Sequence, residues 1–234
     1  MLRGGFKSGY IYEIVGNEAT GKTHLCHHLC IEVASSGHKS LYIDSKACFS
    51  AEKLVMEIKG RKDANFKATL NNIFLQRPTD VYELCDILQS IMEDEEYKNI
   101  ELLVIDALDA LVEPHYIRLQ YEDWVGDQEI ENPEEYQSSR VKEQQFQFSR
   151  DLTTMLKQLM LLNERLCIVV VNSPGRRIGP TWKQTDKIVL TFRKLPSEQV
   201  LEVELTKCIN SKALNKCNVE VCLLGFRDHP AIEQ

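Results

Sequence analysis

The sequence predicts an α/β domain on a mixed sheet, parallel at its centre and antiparallel at its C-terminal edge, with helices on both faces. Three observations predict it. Short β-rich runs alternate with helix-period segments through the first two thirds of the chain. After Gly179 the strand-like runs follow one another without helices between them, as in an antiparallel meander. A chain of 234 residues, 43% of them hydrophobic, can bury one core of this kind and reads as a single domain over 1–234.

The elements follow in order. Tyr10 to Val15 (YIYEIV) reads as a buried strand, and a glycine-bounded turn follows it. From Lys22 to Ser35, apolar residues recur at Leu25, Leu29 and Val33 and at Cys26, Cys30 and Ala34, which is helical spacing that Gly37 stops. Leu41 to Ile43 is a strand ending at Asp44, residues 50–60 a helix, and Ile73 to Gln76 a weak strand. Val81 to Met92 repeats with period 3.6, and Leu102 to Ile105 is an apolar run ending in Asp106.

Residues 119–139 differ. Glu122, Asp123, Asp127, Glu129, Glu131, Glu134 and Glu135 accumulate there with no Lys or Arg, broken by Gly126 and Pro133, so the expectation is an exposed, mobile acidic loop. A long helix then runs from about Ser139 to Asn163, followed by a buried strand, Cys167 to Val171. Lys187 to Phe192, Val200 to Leu205 and Val219 to Leu224 supply the C-terminal edge.

Composition excludes several classes of function. The net charge of −7 is wrong for a protein that coats nucleic acid by charge alone, so any DNA contact needs a local basic patch. No apolar run approaches the ~18 residues of a membrane span, and MLRGGFKSGY lacks the apolar centre of a secretory signal. Without a secretion signal and with no CxxC pair, the eight cysteines read as reduced, mostly buried thiols.

The chemistry concentrates at Gly16, Asn17, Glu18, Ala19, Thr20, Gly21, Lys22 and Thr23 (GNEATGKT), which fits GxxxxGK[ST]. In such a loop the backbone N–H groups curl around phosphate oxygens, Lys22 reaches the β- and γ-phosphates of ATP, and Thr23 offers a hydroxyl to Mg²⁺. The following helix points its positive end at the anion. A plain glycine turn would match the same letters, but the strand before and helix after favour the phosphate loop. Asp106 is the natural carboxylate for the metal, the alternative being a strand-end cap.

A group to activate water is harder to find. Asp44 ends the second strand near the expected place, and two residues on stands Lys46, a cation. His24, Cys26, His27, His28 and Cys30 invite a metal reading, but the pairs lie on different helix faces without a third ligand, and buried thiols with surface histidines explain them better. Glu93 to Glu96 (EDEE) is most simply a solvated helix end.

The runs GGFKSGYIYEIVGNEATGKTHLCHHL, LYIDSKACFSAEKL, LLVIDALDALV and CIVVVNS together resemble the ATPase core of the RecA-like recombinases, in particular the eukaryotic Rad51 paralogues of D type, over about residues 4–228. The resemblance implies that Gly16, Gly21, Lys22 and Thr23 bind ATP and Mg²⁺ and that Asp106 is the Walker B carboxylate. It puts Lys46 where active recombinases carry their catalytic glutamate, so slow or absent hydrolysis is expected. Asn172 matches a nucleotide-sensing strand end, with Ser173 in place of the usual glutamine. It further implies a chain lacking the small N-terminal DNA-binding domain of relatives, and the linker motif for polymerisation has no clear match.

By the same resemblance two loops face DNA. The first, near residues 113–140, is acidic apart from Arg118 and Arg140 and would repel a phosphate backbone. The second, near 174–186, sets Arg176, Arg177, Lys183 and Lys187 around Trp182: cations for phosphates and an aromatic to stack on a base, or else a solvated turn with Trp182 packed on the core. The implied function is an ATP-binding partner in homologous recombination, nuclear, pairing with another recombinase paralogue and remodelling or stabilising the recombinase filament on single-stranded DNA. The alternatives are a small-molecule or nucleotide kinase and a nucleotide-independent scaffold with a relic phosphate loop.

Overall fold

The computed structural model describes residues 5–61, 65–125, 139–175, 178–195, 200–207, 216–222 and 225–229. In chain order the elements are β1 (Ile11–Gly16), α1 (Lys22–Ser35), β2 (Lys39–Asp44), α2 (Ala51–Gly60), α3 (Phe66–Asn71), β3 (Ile73–Gln76), α4 (Val81–Glu93) and β4 (Ile100–Asp106). They continue with α5 (Asp109–Val125), α6 (Ser139–Leu162), β5 (Cys167–Asn172), α7 (Pro180–Gln184), β6 (Ile188–Lys194), β7 (Val200–Lys207), β8 (Lys216–Cys222) and β9 (Gly225–His229).

The strands form one sheet in the order β3-β2-β4-β5-β1-β6-β7-β8-β9. From β3 through β6 every neighbouring pair is parallel, and from β6 through β9 every pair is antiparallel. Parallel strands need crossovers, and the helices that make them cover both faces. Alternation along the strands sorts the core. Ile11, Leu41, Ile43, Leu103, Ile105, Ile168 and Val170 pack with α4, α5 and α6 on one face. Tyr12, Ile14, Tyr42, Val104, Val169 and Val171 pack with Cys26 and Cys30 of α1 on the other. Each fully buried aliphatic side chain contributes about 1.5–3 kcal/mol.

Local signals fix the helix starts. Ser50 accepts from Lys53 N at the head of α2, Asn65 from Ala68 N at α3, and Asp80 from Tyr82 N and Glu83 N at α4. The short α7 begins with Pro180 after Gly179, whose φ is 139°; a Cβ there would fall 2.4 Å from Ser149 Cβ of α6, so only glycine lets the two segments meet.

Residues 119–125 are the end of α5, not a loop: Leu119 packs against the core while Glu122 stays on the solvent side. Residues 126–138 of that acidic segment lie outside the described residues. Helices α3, α5 and α7 and strand β9 had no sequence signal strong enough to be anticipated; α5 even carries Pro114 in its interior, which forfeits one backbone hydrogen bond. Of the described cysteines, Cys26, Cys30 and Cys167 are buried but Cys48 is exposed, so burial of the thiols is incomplete.

Candidate nucleotide site

The site lies at the C-terminal ends of β1, β2, β4 and β5, where an open α/β sheet places ligands. β1 delivers the chain to Gly16, which has no room for a side chain: a Cβ would sit 2.7 Å from Thr20 Oγ1 and 2.8 Å from the Phe192 carbonyl. Thr20 is buried and its hydroxyl donates to the Asn17 carbonyl at 2.8 Å, closing the turn, while Asn17, Glu18 and Ala19 are exposed. Gly21 caps α1, which has no acidic residue in its first turn, so the positive helix end faces the loop uncompensated.

The Lys22 ammonium donates to the Gly16 carbonyl at 2.7 Å and the Asn17 carbonyl at 2.6 Å. It therefore folds back over the loop it would share with phosphates. Burial pushes its pKa below the ordinary lysine value; Asp106 pulls upward against this and Lys46 pushes further down. The Thr23 hydroxyl donates to Asp106 Oδ2 at 2.8 Å, which brings the two expected metal-linked groups together from 83 residues apart. Tyr42 Oη donates to the same oxygen at 2.5 Å from the buried side. A hydroxyl and a carboxylate beside a helix N-terminus are the oxygen donors Mg²⁺ takes when it keeps waters and phosphates in its other positions. The buried Asp109 Oδ1 is also without a hydrogen-bond partner among the described residues. The residues present thus fit ATP with Mg²⁺.

Asp44 does not stand free. Its Oδ1 accepts from Cys48 N at 2.9 Å, and its Oδ2 from Phe49 N at 3.0 Å and Arg77 Nε at 3.2 Å. It caps the loop after β2 and has little capacity left to orient water. Lys46 is exposed on that loop.

Asn172 closes β5. Its Oδ1 accepts from Asp109 N at 3.3 Å and its Nδ2 donates to Glu13 Oε1 at 2.7 Å. Ser173 N donates to Asp109 Oδ2 at 3.3 Å.

The second DNA-facing segment departs from expectation. Trp182 is only 4% exposed, and its Nε1 donates to Glu13 Oε1 at 2.8 Å, so its ring is not offered to a base. Lys187 is buried too: Nζ lies 3.4 Å from Glu13 Oε2, donates to the Trp182 carbonyl and sits over the Trp182 ring. Of the cations predicted to surround Trp182, Lys183 is exposed, and Arg176 and Arg177 lie outside the described residues. On α1, His28 Nδ1 lies 2.7 Å from Glu57 Oε1, and no group of three or more His, Cys, Asp or Glu is placed to hold a metal ion among the described residues.

Glu13, Tyr42 and Asp109 were not identified from the sequence. A single carboxylate inside the apolar run YIYEIV was the available signal for Glu13. Nothing local marks a tyrosine as the partner of a distant aspartate.

A family model described as Rad51 matches residues 1–120, just over half of the chain. The chain belongs to the Rad51 family. It is 29% identical over 117 residues to "DNA repair protein rhp51" of Schizosaccharomyces pombe, covering 47% of this chain and 32% of that protein. It is 28% identical over 123 residues to "DNA repair protein RAD51 homolog 4" of Mus musculus, covering 49% and 37%. The match thus spans about a third of the length of these relatives. A crystal structure of the RadB recombinase superposes with a TM-score of 0.69 at 20% identity, covering 96% of this chain and 93% of that one, which shows the shared fold.

Proposed function

We propose that this chain is an ATP- and Mg²⁺-binding recombinase paralogue of D type that acts in homologous recombination and DNA repair with weak or no hydrolysis. It pairs with another paralogue and remodels or stabilises the strand-exchange filament on single-stranded DNA in the nucleus. The observation that carries this reading is the Thr23–Asp106 hydrogen bond beside Lys22: a phosphate loop and a metal carboxylate joined as one site. Gly16 through Thr23 supply amides, ammonium and hydroxyl to the phosphates; Thr23 and Asp106 supply oxygens to the metal; Asn172 stands at the adjoining strand end. Mg²⁺ would neutralise phosphate charge there.

Turnover needs a group that takes a proton from water. Asp44 is engaged by three donors, and a protonated Lys46 has no lone pair to accept one. Nucleotide then serves as a ligand that favours one subunit arrangement over another. Within the DNA-facing segment, Lys183 is the described cation available to a phosphate backbone, and the contact relies on charge rather than on Trp182.

The test is ATP binding and phosphate release on one sample, wild type beside Lys22→Ala, with and without single-stranded DNA. The expected result is Lys22-dependent binding with negligible release in both conditions. Brisk DNA-stimulated release would overturn the slow-turnover reading, and binding of partner with full function by Lys22→Ala would favour a nucleotide-independent scaffold.

A further inference from the structure

Strands β2 and β4 run parallel with Asp44 in register with Asp106, and Ser45 N donates to the Asp106 carbonyl at 3.2 Å. The next residue is Lys46. Beyond it Ala47 turns the chain with a left-handed φ of 52°, and the amides of Cys48 and Phe49 return to the Asp44 carboxylate, which Arg77 also grips. Lys46 therefore stands on a short, braced loop two residues past the end of β2, beside the end of β4 that carries Asp106. It is exposed and paired with no carboxylate among the described residues. The bonds from Ser45 N to the Asp106 carbonyl and from the Thr23 hydroxyl to the Asp106 carboxylate bring the loop that carries Lys46 and the turn that carries Lys22 to the same strand end.

We propose that Lys46 is a second phosphate-binding cation, which contacts the terminal phosphate of a nucleoside triphosphate seated on Lys22 and makes the site prefer triphosphate to diphosphate. The inference rests on the phosphate-loop reading above and adds a specificity to it. The loop amides and Lys22 serve phosphates common to both ligands. Lys46, approaching from the β2 side, meets the additional one, whose charge gives a stronger hydrogen bond than a neutral acceptor. The same residue cannot act as a base, so the ligand it favours is retained.

Calorimetric titration with Mg²⁺ and either β,γ-imido-ATP or ADP tests this on the full chain, for wild type, Lys46→Ala, Lys46→Arg and Lys46→Glu. Thermal melting checks that each variant folds, as expected for an exposed position. Lys46→Ala should weaken the triphosphate analogue about tenfold while ADP stays within about twofold. Lys46→Arg should retain the preference, and Lys46→Glu should weaken the analogue more than Lys46→Ala does. Equal effects of Lys46→Ala on both ligands, or none on either, would overturn this inference while leaving the phosphate loop standing. Failure of the wild type to bind either nucleotide would overturn both.

Discussion

Trp182 Nε1 and Asn172 Nδ2 both donate to Glu13 Oε1, but the Trp182–Glu13 contact, at 2.8 Å, decides how the segment after β5 sits. It draws a five-residue helix onto the strand that leads into the phosphate loop, and Lys187 balances the carboxylate from the same segment. Glu13 is thereby a buried charge with donors on all its sides, and the segment expected to stack on DNA is anchored inward instead.

Removing one partner should expose that dependence. Trp182→Phe keeps most of the apolar volume but leaves Glu13 with a donor fewer, at a cost of about 1–3 kcal/mol. Glu13→Ala leaves Lys187 buried without its carboxylate and should cost about 3–5 kcal/mol. Denaturant midpoints for the two variants measure both, and a larger loss for Trp182→Phe than for Glu13→Ala would contradict the assignment of Glu13 as the hub.

Tyr42 holds Asp106 from beneath, from a fully buried position on β2. Tyr42→Phe removes only the hydroxyl, so stability should fall by about 1–2 kcal/mol. Asp106 Oδ2 keeps its Thr23 donor but loses its fixed orientation, and Mg²⁺-dependent nucleotide affinity should fall several-fold while affinity without Mg²⁺ stays level. Melting curves and titrations with and without Mg²⁺ separate the two effects; an equal change in both titrations would show that Tyr42 acts only on the fold.

His27 is buried against Tyr42 and Phe49, and its Nε2 has no hydrogen-bond partner among the described residues. Burial pushes its pKa below the ordinary histidine value, partly opposed by Asp106 and Glu57 and reinforced by His24 and Lys53. The unfolded chain therefore takes up the proton first. Stability is fully present above about pH 6.5 and declines as pH falls through the lowered folded value. His27→Phe should remove this decline. Unfolding free energies from pH 7.5 to 5 should converge on a flatter curve for the variant, and parallel curves would contradict the assignment.

The phosphate loop, the order of the principal strands and helices, the parallel centre with its antiparallel edge, and Asp106 as the end of a buried strand are all legible in the amino-acid sequence. Those features are local. A glycine-rich turn between strand and helix, a period of 3.6 or 2, and an apolar run ending in a carboxylate each declare themselves within about ten residues. The misread segment at 119–125 shows the limit of locality: its acidic residues look like a loop, yet Leu111, Val112, Tyr116 and Leu119 pin α5 to the core. Tertiary structure alone decided which polar groups are spent and which remain free. Asp44 and Lys46 are two residues apart, but only the return of Cys48 and Phe49 and the reach of Arg77 show that the first is engaged and the second open. Trp182 and Glu13 lie 169 residues apart, and no local pattern can say that an indole will satisfy a particular buried carboxylate. Burial of a polar group without a partner costs free energy, so the folded chain must supply one, and where it comes from is settled only when distant strands are laid side by side.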